Sequence, residues 1–281
     1  MADERNPMPA DNPLNPRPNL AHEMAKRSWI DKWLSRDRFS PYLITCDGDI
    51  DRALALYEWN LSLGQVLMRD ISHFEVALRN AYNDVMESCW EGESHWLIDE
   101  ASPVRRPVMR RSASGMLDSN RVNRKTIDAA VRTLPYGYAS GDLVANLTLG
   151  FWVHLADRSR EAAIWRTHLF RAWPRGTRRA ELQEKTYGIL RVRNRVAHGE
   201  RLFNPKQGML SPVRVDADAV RLLRLLCPEA AEYLYPDGVA PIEGFLERNP
   251  APANVRLLGP QDGGPEETET LGFRNDGKIS E

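Results

Sequence analysis

Residues 63–81 read Leu-Gly-Gln-Val-Leu-Met-Arg-Asp-Ile-Ser-His-Phe-Glu-Val-Ala-Leu-Arg-Asn-Ala. Leu63, Leu67, Ile71, Phe74, Leu78 and Ala81 recur at steps of three and four, the spacing that collects side chains on one face of a helix. The pattern extends over 50–88 and stops at Glu91-Gly92. A helix of that length with a single apolar stripe must bury it against other elements, and the neighbouring sequence reads as helical too.

Working outward, a first helix is predicted from about His22 through Trp33, set apart by Pro41 and the Asp47-Gly48-Asp49 turn. Residues 101–125 read as a connection rich in Pro and Arg with weak periodicity. Helices are predicted at about 126–133, 141–157 and 160–171, and Pro174-Arg175-Gly176 breaks the pattern. A further helix runs from about Thr177 to His198 with Gly199 as its C-terminal stop, and a last one covers 217–226 and continues irregularly toward Tyr235. Strand-like alternation is scarce and no repeat is evident. The predicted class is an all-α helical bundle.

The ends differ in composition. Residues 1–20 are rich in Pro, Asn and Asp, and residues 249–281 in Pro, Gly and Glu, so both are expected to be disordered. Residues 21–248 form the expected domain. Cys46, Cys89 and Cys227 are too few and too far apart for a disulfide framework, which points to a reducing cytosol. No stretch resembles a signal peptide or a membrane span, so the expected location is cytoplasmic, with no membrane partner. A net charge of −1 argues against a non-specific nucleic-acid coat. The charges are nevertheless segregated. Residues 101–125 carry seven basic groups against one acidic, residues 156–195 eleven against four, and residues 262–281 six acidic against two basic. Each run reads either as a solvated surface or as an attractor of phosphate.

Residues 190–204, Leu-Arg-Val-Arg-Asn-Arg-Val-Ala-His-Gly-Glu-Arg-Leu-Phe-Asn, concentrate the reactive chemistry. On a helical wheel Leu182, Ile189 and Val196 centre the buried stripe, and Tyr187, Arg191, Asn194 and His198 lie nearly opposite. Arg193 falls at the stripe's edge, where a guanidinium is costly unless it meets a carboxylate, a phosphate or a second subunit. His198 reads in three ways: a helix-end histidine facing the dipole, a metal ligand, or an acid–base group. No second His, Cys or carboxylate stands at a usable spacing, so neither metal nor cofactor is expected.

The Arg-Asn-x-x-x-His run at 193–198, followed by Arg201-Leu202-Phe203-Asn204, resembles the signature of HEPN-domain ribonucleases, in particular the Abi-like (abortive infection) branch. Leu56-Tyr57-Glu58-Trp59-Asn60 with Glu75-Val76-Ala77-Leu78-Arg79-Asn80, and Leu149-Gly150-Phe151-Trp152, resemble further motifs of that family, so the likeness covers roughly 40–230. The resemblance implies a HEPN-type bundle with additional helices, and metal-independent cleavage of RNA by Arg193, Asn194 and His198. It also implies a homodimer that pairs two motif helices, a role in phage defence or as a toxin, and an RNA or protein antitoxin. Arg191 also fits the family spacing and remains open as the catalytic arginine. Arg191, Arg195 and Arg201 are the expected phosphate contacts. Glu75 and Arg79 form either a surface ion pair or a support for Arg193 or His198. The other histidines (73, 95, 154, 168) read as structural or solvated, and Trp59, Trp90, Trp96, Trp152 and Trp165 as core. The alternative function is a HEPN module that binds RNA or a protein and cuts nothing.

Overall fold

The structure is a computed structural model and describes residues 20–112, 115–204 and 210–257. These residues are 65% helical and 3% strand, which makes the fold all-α. The expected disorder at 1–19 and 258–281, and the acidic run at 262–281, lie outside the described residues. The chain divides into two compact units: residues 1–59 with 251–254, and residues 60–250 with 255–281.

In the first unit α1 (Leu20–Leu34) and α2 (Arg36–Thr45) precede the start of α3 (Ile50–Cys89). Helix α2 was not foreseen, because Pro41 reads as a break and here sits inside it. The proline removes one backbone donor. The burial of Phe39 and Tyr42 offsets that loss, and the Thr45 hydroxyl donates to the Pro41 carbonyl at 2.8 Å. Tyr57 meets both Trp33 and Tyr42 edge-on at 5.4 and 5.5 Å between ring centres.

The second unit is built around the rest of α3. Leu63, Leu67, Ile71, Phe74 and Leu78 are fully buried as the spacing predicts, and the stripe continues through Tyr82 to Met86 rather than through the half-exposed Ala81. A hairpin, β1 (Met109–Ser112) and β2 (Gly115–Asp118), occupies the segment read as an irregular connection. Its described side chains are mostly exposed, so neither strand carries the apolar alternation that would have announced it. Helix α4 (Arg121–Thr133) begins five residues before the predicted start.

The single helix predicted over 141–157 is two, α5 (Ser140–Asn146) and α6 (Leu149–His154). Leu147 and Thr148 between them are extended, and the buried Trp152 indole N–H donates to the Leu147 carbonyl that the break releases. The helix predicted over 160–171 is a run of tight and wide turns, 158–160, 161–165 and 169–172. Here Arg160 is drawn inward instead of lying on a helix surface. Its guanidinium donates to the Ser119 and His154 carbonyls and to the side chains of Asn120, Asn123 and Asp157.

Helix α7 (Arg179–Ala197) matches the predicted motif helix and packs on α6 and on α8 (Pro212–Leu226). Helix α8 starts at Pro212 with Ser211 as its cap, accepting from the Arg214 N–H at 3.3 Å. Helices α9 (Pro228–Leu234) and α10 (Pro241–Arg248) follow. Residues 255–257, read as part of a disordered tail, begin with a pinned backbone: Asn204 and Arg256 exchange hydrogen bonds of 2.6 and 2.8 Å. Trp59, Trp96, Trp152 and Trp165 are buried core residues as expected, whereas Trp90 is half-buried and donates to the Ser94 carbonyl. No helix among the described residues is long and apolar enough to cross a membrane.

A buried acid pair joins α3 to α8. Asp70 accepts from the Tyr235 hydroxyl at 2.7 Å, and Asp216 accepts from the Ile242 N–H at 3.2 Å. Each carboxyl keeps one buried oxygen without a donor, Asp70 Oδ2 and Asp216 Oδ1, so one proton shared between them satisfies both. Burial first, and then the Asp70 charge, push the Asp216 carboxyl up to about 8. A carboxyl whose folded value is raised stabilises the fold below its ordinary value and loses that contribution as pH rises through the folded one. The melting temperature is therefore expected to fall as pH climbs from the ordinary 3.8 toward about 8. In Asp216→Asn that slope flattens, which differential scanning calorimetry across the range checks.

Candidate functional site

The C-terminal end of α7 and the residues after it form the candidate site. His198 terminates the helix: its N–H donates to the Asn194 carbonyl at 3.1 Å, and Gly199 follows with φ 59°, the left-handed turn that glycine accepts most readily. Asn194 and His198 are exposed, as the wheel predicts, and Arg191 shares that exposure. Tyr187 does not. It is half-buried, and its hydroxyl meets His154 Nδ1 at 2.6 Å and Asp157 at 2.9 Å.

Arg193 is half-buried, with its Nε fully buried and without a hydrogen-bond partner. One terminal nitrogen reaches the Asn194 side-chain oxygen at 3.5 Å. Glu75 on α3 lies within range of its charge. Burial raises the Glu75 carboxyl above the usual range, and the Arg193 guanidinium, then Arg79, then the Leu149 N–H at the start of α6 oppose that rise. Arg79 also donates to the Ala145 carbonyl at 3.4 Å near the end of α5. Both arginines of the two sequence readings thus act on Glu75, Arg193 the more strongly.

The remaining arginines divide. Arg195 donates to the Arg201 carbonyl and lies 3.5 Å from Glu200. Arg201 stacks over Phe203 at 5.5 Å and reaches the Asn204 carbonyl. Both were expected to contact phosphate, and both are engaged in folding the 199–204 segment back on itself. Arg191 and Arg193 are the cations that this arrangement leaves on or near the face of His198.

Sequence reasoning passed over Asn60, which fixes this segment. Its buried side chain donates to the Glu200 carbonyl at 3.1 Å and accepts from the Leu202 N–H at 2.8 Å. One turn further on, Gly64 lets α7 approach closely, since a Cβ there would lie 3.2 Å from Val196. Asn60 closes the Leu-Tyr-Glu-Trp-Asn motif, and a polar residue at the end of an apolar stripe was the available signal. Beside it, Leu61, Gly64, Gln65 and Met68 face Val196 and Gly199–Leu202 across a groove of about 240 Å³.

A second constellation lies further back along α7, where His154, Asp157 and Tyr187 converge with Arg160. Burial opposes ionisation of Asp157, but hydrogen bonds from His154 and Tyr187 and the Arg160 charge hold it below the ordinary carboxylate range. The same burial and the same carboxylate push the Tyr187 hydroxyl up to about 12. Among the described residues no three His, Cys, Asp or Glu side chains gather into a set that could hold a metal ion.

No family model matches the chain, and no curated protein and no solved structure matches it either. The likeness to HEPN proteins rests on the motifs quoted above.

Replacing Asn60 by Ala strips the partners from one buried carbonyl and one buried N–H. A loss of about 2 kcal/mol is expected in urea denaturation. Asn60→Asp sets a buried carboxylate against the Glu200 carbonyl and should cost at least as much as the alanine variant. An Asn60→Ala protein as stable as the original would show that these two backbone groups find other partners.

Proposed function

We propose that the protein is a metal-independent endoribonuclease of the Abi-like HEPN kind, with its active centre assembled from two copies of the α7 terminus. The observation that carries this reading is the pairing of a solvent-facing His198 and Asn194 with an arginine whose buried Nε lacks a partner. Such an arginine is held in place against Glu75 and keeps donors for an oxyanion.

The chemistry needs a base to take the 2′-hydroxyl proton, so that O2′ attacks phosphorus and the P–O5′ bond breaks. It also needs an acid that protonates the departing O5′. The products are a 2′,3′-cyclic phosphate and a 5′-hydroxyl. His198 suits either role, and Arg193 suits the charge that grows on the phosphoryl oxygens. One chain supplies one such histidine, which is the reason for the homodimer: a twofold axis brings a second His198 to the same phosphate. Asn194 orients a phosphate oxygen or the imidazole, Arg191 holds the strand, and Glu75 positions Arg193. The resemblance of the motifs quoted from the sequence supports a role in phage defence or as a toxin restrained by an antitoxin.

Purified protein is expected to cleave single-stranded RNA to 2′,3′-cyclic ends without added metal, with His198→Ala and Arg193→Ala each slower by roughly two to four orders of magnitude. Circular dichroism should show both variants folded. Cleavage that persists in His198→Ala removes the catalytic assignment. Salt-sensitive RNA binding without cleavage would make the protein a binding module. Sedimentation at micromolar concentration should give twice the 32.0 kDa chain mass, and a monomer would remove the composite centre.

A further inference from the structure

Between the β1–β2 hairpin, α4 and α6 lies a cleft of about 730 Å³, large enough for a nucleotide-sized molecule. It belongs to none of the roles assigned above. Its rim is cationic. Arg121 and Lys125 stand one turn apart on α4, both exposed, and Arg110 joins them from β1; none of the three has an ion-pair partner among the described residues, whereas the lining carboxylates Asp118 and Asp157 are paired with Arg124 and Arg160. At ordinary protein surfaces such side chains spread apart, and three around one concavity raise the local concentration of anions. Arg160 also lines the cleft, but its guanidinium is saturated by the contacts described above and acts as scaffold.

The inner wall supplies directional groups. His154 lines the cleft with its side chain 42% exposed. Its Nδ1 is occupied by Tyr187 and Asp157, at 2.6 and 3.2 Å. The Tyr187 hydroxyl donates to Asp157 at 2.9 Å, so its oxygen accepts from Nδ1–H, and Nε2 is left as the ring atom open to a ligand. Ser119 Oγ, another lining group, is buried without a hydrogen-bond partner. An orphaned buried hydroxyl and three cations without an ion-pair partner among the described residues share one complement, a phosphate oxyanion, and the Nε2 lone pair suits a hydroxyl or N–H donor next to it. Phe151 and Val122 give the cleft apolar surface on which a base or sugar can rest.

We propose that this cleft is a second, separate binding site that takes a nucleotide phosphate, with Arg121 and Lys125 neutralising its charge, Ser119 Oγ donating to one of its oxygens, and His154 Nε2 accepting from a sugar hydroxyl or a base N–H beside it. The phosphate can belong to a free nucleotide or to one residue of a single strand, and the chemistry of recognition is the same. The site does not depend on the ribonuclease reading, since none of its residues is His198, Arg193 or Asn194.

Isothermal titration of the full chain with inorganic pyrophosphate, with ATP, and with a 2′-O-methyl pentanucleotide that cannot be cleaved tests the proposal. Binding of at least one probe at one site per chain is expected, weakening as salt rises. Affinity should drop by about tenfold or more in Arg121→Glu/Lys125→Glu, whose exposed positions leave the core intact. His198→Ala should bind as the unaltered protein does. Tight binding of pyrophosphate and ATP identifies a free nucleotide as the source; binding of the pentanucleotide alone identifies a strand. The proposal is overturned if no probe binds at millimolar concentration, or if the doubly charge-reversed protein binds as tightly as the original. Loss of RNA cleavage in His198→Ala with cleft binding retained separates the fate of this site from that of the α7 terminus.

Discussion

The side chain of Asn60 holds the candidate site in register. A buried carboxamide on α3 gives its N–H to one peptide unit and takes an N–H from another two residues on, spanning 140 residues of sequence. Segment 199–204 has left helical geometry and has no strand to pair with, so its backbone groups would otherwise be buried without partners. Because Asn60 satisfies two of them at once, the turn after His198 can be compact and buried at Leu202 and Phe203 while the histidine itself stays in water. Arg195 and Arg201 complete the same task from the other side. Each gives a donor to a carbonyl of the segment, which ties part of its guanidinium to the turn.

Two histidines are thereby placed under opposite regimes. His198 lies at a helix terminus with its backbone fixed and its ring at the surface. His154 has its ring fixed by Tyr187 and Asp157, and Asp157 is in turn held by the buried Arg160. Both depend on α7, since Tyr187 and His198 belong to one face of it, eleven residues and about 16 Å apart along the axis. A change in the lean of that helix would move both constellations together.

The sequence was most legible where a single period dominates. The stripe from Leu63 to Leu78 and the body of α7 lie where three- and four-residue spacing puts them, because burial on one face leaves a periodic trace. It was least legible where a side-chain hydrogen bond overrides propensity. Arg160 turning inward replaces a predicted helix with irregular turns, and Trp152 ties off the break between α5 and α6. The exposed hairpin at 109–118 has no buried face and so no trace. The start of α8 was available in Ser211-Pro212, a cap and a first-turn proline, but the apolar run behind it drew the boundary five residues too far on. At the site itself, composition pointed to Arg193, Asn194 and His198. Asn60, which pins the segment after them, comes from a helix more than a hundred residues earlier and could be matched to it only in three dimensions, whereas Glu75 of the same helix was already offered by the sequence as a partner of Arg193 or His198.

On the ribonuclease reading proposed above, the angular arrangement on α7 leaves one copy of this helix an incomplete centre. Arg193 and His198 are five residues apart, which separates them by roughly 140° around the axis. The histidine faces solvent, and the arginine leans toward Glu75 at the edge of the apolar face. A single phosphate approaching His198 along its own normal meets Asn194 and Arg191 before it meets Arg193. On the proposed reading one chain directs its histidine and its arginine apart, whereas a pentavalent phosphorus needs both. In the proposed pair a second α7 laid across the first would turn its own histidine toward the arginine of its partner, so that the divergence on one helix would become the geometry that closes the pair.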